Sequence, residues 1–248
     1  MNTVAHTPTA ADTRTIPFFN ESGSRLMMTE GSLAALKWFA LCMMLADHIN
    51  KYFFSEQLPG LFLIGRVVMP IFAFVLSYNL TRPGALEGGV HRRLIGRLFV
   101  FGLVATPPMI LLNQSVFPHY PWWPLDILFT LALFVVLAYL LEKGGFARTS
   151  LALALFVVGG AMVEYLWIGI LVCLAAWFFC RRPTWRRFAL WCLAVFSLVL
   201  INSNTWALFA IPLIVIASRI SFTVPRSKWV FYGFYPFHLF VLCLLKLG

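Results

Sequence analysis

The stretch LAALKWFALCMMLADHINKYFF, residues 33–54, is followed after a short gap by LFLIGRVVMPIFAFVLSYNL, residues 61–80. Each is an apolar run of about 20 residues, the length an α-helix needs to cross the hydrocarbon core of a bilayer. Similar runs continue at 94–112, 125–141, 150–164, 165–180, 188–201, 206–220 and 230–247, about nine in all. The expected fold is therefore all-α, a polytopic transmembrane helix bundle. Several runs are short. Gly159 and Gly160 are the sole breaker between the fifth and sixth, so that pair reads either as two helices or as one long tilted helix and a broken one.

Composition agrees. Of 248 residues, 61% are hydrophobic and 11% charged, against roughly 25% charged in an ordinary soluble domain. A water-soluble monomer of this length has nowhere to hide so much apolar surface. The lipid bilayer is the expected solvent.

The net charge of +10 raises the question of an acidic partner, and the positions of the cations answer it. Arg82, Arg92, Arg93 and Arg97 follow the second run; Lys143 and Arg148, then Arg181, Arg182, Arg186 and Arg187, then Arg219, Arg226 and Lys228 follow later ones. The intervening connections near Ser55 to Gly60, Asn113 to Pro124, Gly159-Gly160 and Asn202 to Thr205 carry no Lys or Arg. This is the positive-inside pattern, and it argues against nucleic acid as a partner. With nine spans it puts the N-terminus in the cytoplasm and the C-terminus outside.

Residues 1–31 are rich in small and polar types and read as a disordered tail without a cleavable signal, leaving 32–248 as one transmembrane domain. The HYPWWP cluster at 119–124 suits an interfacial aromatic belt on the outer side. No internal repeat or matched pair of broken segments is visible, which weakens a transporter reading. Cys42, Cys173, Cys180, Cys192 and Cys243 all lie in apolar runs without a CxxC pair, so they read as packing residues.

A titratable group inside a bilayer costs several kcal/mol and so needs a partner or a task. Asp47 and His48 are adjacent and point about 100° apart on a helix, so they cannot form a dyad with each other. Asp47 faces Lys51 and His48 faces Tyr52, one turn on. A local Asp47–Lys51 ion pair and a packed, hydrogen-bonded His48 are the structural readings; three polar side chains within four residues favour function.

Arg66 stands in an otherwise apolar helix and cannot lose its charge, so it requires an acceptor; Asp47 on the preceding antiparallel helix is the natural one. Pro70 frees the carbonyl of Arg66, a common way to shape a cavity. In the last run His238 follows Gly233 and Pro236, which weaken the helix where the histidine sits. Glu164 ends the fifth run and Asp126 begins the fourth, both at the outer interface, where water could satisfy either.

Two histidines, an acid and an arginine converging on one cavity would make a general acid–base site. A neutral His takes a proton, a carboxylate fixes its tautomer, and a guanidinium stabilises an oxyanion. No HxxxH or HExxH pattern is present, so a metal site is not expected.

The blocks LADHIN, LIGRVVMPIFAFVLSYNLTR and FYPFHLFVL resemble, in order and spacing, the signature blocks of the TraX family, membrane proteins associated with acetylation of conjugative pilin. LDILFTLAL and EYLWIG resemble its weaker blocks, and the likeness runs from about Leu33 to the C-terminus. More distantly, the early Asp/His and late aromatic-rich His block are similar to multi-span acyltransferases that use acetyl-CoA.

The resemblance implies an acyltransferase of the bacterial inner membrane with acetyl-CoA as donor and a conjugative pilin subunit as partner. Carried over by position, it implies catalytic roles for Asp47, His48, Arg66 and His238, with Glu164 in a weaker block. His48 would be the base, and His238 an alternative base or a thioester-binding group. The basic loop of His91, Arg92, Arg93 and Arg97 would hold the phosphates of coenzyme A, or carries positive-inside charge alone. Head-to-tail cyclisation of pilin by related amine-acylating chemistry is one alternative, and a non-enzymatic transporter or pilus-assembly factor is another.

Overall fold

The computed structural model describes residues 27–114, 118–221, 223–224 and 228–247. The polar tail up to Arg25 and Leu26, and Arg226 among the loop cations, lie outside the described residues. Every described element of regular structure is helical, apart from one isolated bridge between Leu125 and Val163.

Helices form at all nine apolar runs. They are α1 (Glu30–Phe53), α2 and α3 (Pro59–Gly65 and Val68–Leu80), α4 (Val90–Asn113), α5 (Ile127–Lys143), α6 (Phe146–Gly160), α7 (Leu166–Arg181), α8 and α9 (Trp185–Phe196 and Val199–Asn202), α10 (Ala210–Arg219) and α11 (Lys228–Leu247). Five helical stretches, Glu30–Phe53, Pro59–Leu80, Val90–Asn113, Trp185–Asn202 and Trp229–Lys246, are long and apolar enough to cross a membrane. The rest are shorter, as their runs are.

Local chemistry sets the ends. Thr29, Asp126 and Thr184 cap α1, α5 and α8, each side chain accepting from a backbone N–H in the first turn, which satisfies one otherwise orphaned donor. The sixth and seventh helices are separate: α6 stops at Gly160, and α7 starts at Leu166, with Tyr165 and Leu166 both at positive φ. The second run is broken, not merely bent. Pro70 has no N–H for the Arg66 carbonyl, and the chain passes from α2 to α3 through tighter bonds, Arg66 N to Leu63 O at 3.2 Å and Val67 N to Ile64 O at 3.4 Å.

Side-chain contacts give the direction of each helix. Met28 meets Tyr78, and Asp47 meets Arg66, so α1 and the second segment are antiparallel. Lys37 lies over Phe231, His48 bonds His238, and Lys246 lies over Tyr52, so α1 and α11 run parallel. Met69 approaches Gly169 and Ser77 donates to Cys173 O at 3.0 Å, so α3 and α7 are parallel too. Nine segments that alternate in direction require these relations, because the first and ninth, and the second and sixth, then point the same way. Arg82, Arg93, Arg148 and Arg187 gather at one end of the bundle, called here the basic end.

The core explains the lateral order. Ala73, Cys173 and Ala176 are fully buried where α3 meets α7, and small residues let backbones approach closely in the absence of a hydrophobic drive between helices. Phe74, Phe179 and Trp191 stack beside them, with Phe179 and Trp191 at 5.6 Å and 9°. The outer faces are apolar: Phe99, Leu103 and Val104 on α4, Leu153 and Val158 on α6, and Phe237, Phe240 and Leu244 on α11 are more than half exposed or close to it. In water such a surface would aggregate; in lipid it is solvated.

Candidate functional site

The end of the bundle opposite the basic end holds a buried polar cluster, built mainly from α1, the α2–α3 break and α11. Asp47 and His48 occupy the last turns of α1. Asn50, two residues on, clamps the connection to α2 from both sides: its amide donates to Leu58 O and its carbonyl accepts from Leu58 N, both at 3.0 Å. That clamp brings the start of α2 against the end of α1. Tyr52 ties α1 to α4 through its hydroxyl and Asn113 Oδ1 at 3.2 Å.

Arg66 sits at the α2–α3 break and donates from Nη2 to Asp47 Oδ2 at 2.6 Å. Its Nε donates to Phe62 O at 3.1 Å, its Nη1 reaches Asn202 Oδ1 at 3.5 Å, and its plane covers the Phe62 ring at 4.3 Å. Both side chains of the ion pair are mostly buried, at 15% and 18% exposed. Asp47 thus pairs with Arg66, as the immersion of that cation requires. Lys51 lies over the Tyr52 ring at 5.2 Å.

The pair fits because residue 65 is glycine. A Cβ there would fall 2.5 Å from Asp47 Cγ, inside van der Waals contact. Neither Gly65 nor Asn202 was legible as a site residue. The adjacent Gly-Arg dipeptide is the available signal for the first; nothing in the sequence points to the second, whose Nδ2 is buried without a partner among the described residues.

The two histidines meet. His48 Nδ1 lies 2.7 Å from His238 Nε2, and the rings are stacked at 5.0 Å and 12°. The remaining ring nitrogen of His238, Nδ1, lies 2.8 Å from the carbonyl of Phe234. A carbonyl can only accept, so His238 Nδ1 carries the proton. For two neutral rings the rest follows: His238 Nε2 accepts, His48 Nδ1–H donates, and His48 Nε2 is left as a bare lone pair. That nitrogen makes no hydrogen bond among the described residues. His238 is 3% exposed and His48 is partly buried. Tyr235 packs edge-on against both.

Glu164 and Tyr165 come from the α6–α7 connection. Glu164 N donates to Leu125 O and Leu125 N to Met162 O, both at 2.8 Å, and Thr130 Oγ1 donates to Glu164 O at 2.8 Å. This strap holds Glu164 within electrostatic range of Arg66, Lys51 and Asp47. Asp126, capping α5 with one oxygen, is 2% exposed, and its Oδ2 is buried without a partner among the described residues. It is less open to water than its interfacial position in the sequence suggests.

The basic loop divides. Arg92 and Arg93 are exposed, and Arg93 donates to Gly88 O at 2.6 Å. Arg97 is half-buried between the Trp229 and Tyr232 rings. His91 is buried with Nε2 3.1 Å from Glu142 Oε2, off hydrogen-bond alignment. None of these approaches the polar cluster, which lies toward the other end of the bundle. Among the described residues no three His, Cys, Asp or Glu side chains gather as a metal site.

Fold and cluster together define a class: an all-helical membrane protein with a histidine pair and an arginine–aspartate pair immersed together among its spans. The chain belongs to the TraX family; the family model described as "TraX protein" matches residues 32–246. It is similar to Protein TraX of Escherichia coli, 31% identical over 140 residues, and to Protein TraX of Escherichia coli strain K12, 28% identical over 140 residues. Each match covers 56% of this chain and 52% of the relative, so the chain aligns with about half the length of the curated relatives. No solved structure matches.

Proposed function

We propose that the protein is an acyltransferase of the bacterial inner membrane that acetylates the N-terminal amine of a conjugative pilin, with acetyl-CoA as donor substrate. The observation that carries this reading is the tautomer of the histidine pair. A base needs an unprotonated nitrogen with nothing else to do, and His48 Nε2 is one. The positive-inside pattern sets the basic end in the cytoplasm and the cluster in the outer half of the bilayer, where a pilin amine released from its leader would arrive.

The chemistry follows from the groups present. The amine nitrogen attacks the thioester carbonyl carbon; a C–N bond forms and the C–S bond breaks. The proton lost by the amine goes to His48 Nε2 and from there to the departing thiolate. His238 acts on His48 alone, holding the Nδ1–H tautomer, as the acid does in a Ser-His-Asp triad. Arg66, held by Asp47, supplies positive charge for the oxygen of the tetrahedral intermediate. Asp47 and His238 are positioning residues in this scheme.

Membranes containing the protein, given mature pilin and acetyl-CoA labelled in the acetyl group, test the reading. Label should appear on pilin with an added acetyl mass. Pilin that loses one water without taking label would mark cyclisation, and unmodified pilin would leave a transporter or assembly role.

A further inference from the structure

A cavity of about 450 Å³ has its mouth at the basic end, lined by neither histidine of the pair. It lies between α1, α3, α4, α5 and α11. Among the described residues its charged lining is three cations against one carboxylate: Lys37, Arg82, Arg97 and Glu30. Glu30 and Arg82 pair at 2.5 Å, and Arg97 is braced by Trp229 and Tyr232. The deeper walls, including Phe72, Leu128 and Leu131, are apolar. A mouth with surplus positive charge above a greasy throat matches one ligand chemistry: a phosphate-bearing head on a long uncharged arm.

The rows of side chains give the direction of that arm. On α1 the cavity is lined by Glu30, Leu33, Ala34 and Lys37, and the same i+3/i+4 row continues through Leu41 and Met44 to His48. On α11 it is lined by Phe231 and Tyr232, and the row continues through Tyr235 to His238. Lys37 and His48 are thus on one stripe of one helix, about 16 Å apart by helical rise. Both rows end on the histidine pair.

We infer that this cavity is the docking site for the phosphorylated carrier of the acyl donor, which enters from the basic end and extends its thioester arm toward His48 while the acceptor amine approaches from the opposite end. The inference rests on the acyltransferase reading but concerns binding. It also replaces the exposed loop as the phosphate site: Arg97 belongs to the cavity, whereas Arg92 and Arg93 do not line it. Leu41, Met44 and Tyr235, all nearly buried, lie on these rows between the cavity's lining residues and the histidine pair, and the arm has to pass them.

Binding of unacylated coenzyme A to the full chain in phosphatidylcholine nanodiscs tests this without any turnover. Wild type should bind saturably. Lys37→Gln with Arg97→Gln should weaken binding roughly ten-fold or more, the worth of one or two charge-assisted hydrogen bonds, with Arg97→Lys in place of Arg97→Gln recovering part of it. Thermal melts of each variant confirm that it is folded. Equal binding in the variants, loss instead through Arg92→Gln with Arg93→Gln, or retention of phosphatidylglycerol with no affinity for coenzyme A would each overturn it, the last in favour of a lipid headgroup. Labelled pilin formed at the wild-type rate by the folded double variant would overturn the docking site and leave the acyltransferase reading standing. Saturable, cavity-dependent binding with no labelled pilin would do the reverse.

Discussion

His48 and His238 lie 190 positions apart in the chain and share a 2.7 Å hydrogen bond. The bond joins the first helix to the last, and the Phe234 carbonyl beyond it fixes which nitrogen is free. If His238 acts through that tautomer, His238→Phe should leave folded protein in the membrane while pilin modification falls by about 10² to 10³, short of the largest losses seen when a catalytic tautomer is lost. Histidine ¹⁵N NMR distinguishes the role from packing: His48 should show a bare Nε2 in wild type and a mixture of tautomers in the variant.

The Arg66–Asp47 pair should behave as a buried ion pair. Removing one member leaves the other charged and unpaired, so Arg66→Gln and Asp47→Asn should each destabilise by on the order of 3 kcal/mol. Asp47→Asn combined with Arg66→Gln should cost less than the two single changes added together. Thermal unfolding in detergent measures all four proteins. Additive losses would mean that the 2.6 Å contact contributes nothing of its own.

Gly65→Ala should disturb Asp47 directly, because its Cβ would fall 2.5 Å from Asp47 Cγ. Overpacking of that kind costs about 1–3 kcal/mol, and activity should fall along with stability. Gly60→Ala is the comparison: its Cβ would meet nothing within 4 Å, so yield and melting point should hold or rise slightly. Equal behaviour of the two variants would argue against the close approach.

These residues mark the limit of what the sequence could reveal. The helical segments were legible because the apolar runs are set apart by polar, charged or Gly/Pro-containing connections, and Arg66 called for Asp47 because a permanent cation in lipid must have an acceptor. Convergence of the two histidines was legible only as chemistry. The bond between them depends on α1 and α11 lying side by side in parallel, which no local pattern encodes. Gly65 and Asn202 matter through contacts across helices. The cavity at the basic end needs five helices to exist, so its lining, Lys37 included, was not legible; of the basic-loop arginines, Arg97 lines it.

Orientation is tested by cysteine accessibility. Single cysteines placed at Ser55, Gly60 or Ser203 should react with a membrane-impermeant thiol reagent from outside the cell, in a background lacking the native cysteines. Those at Gly88 or Thr184 should react only after the inner membrane is opened. The reverse pattern would set the histidine pair on the cytoplasmic side, away from a mature pilin amine.

The central claim, that His48 is the base, is tested most directly by the intact mass of pilin from cells carrying His48→Gln. Gln can still hydrogen-bond, so insertion and abundance should match wild type. Without base assistance the rate should drop by about 10² to 10⁴, and pilin should emerge at its unacetylated mass. Pilin fully acetylated at wild-type abundance of the variant would contradict the account.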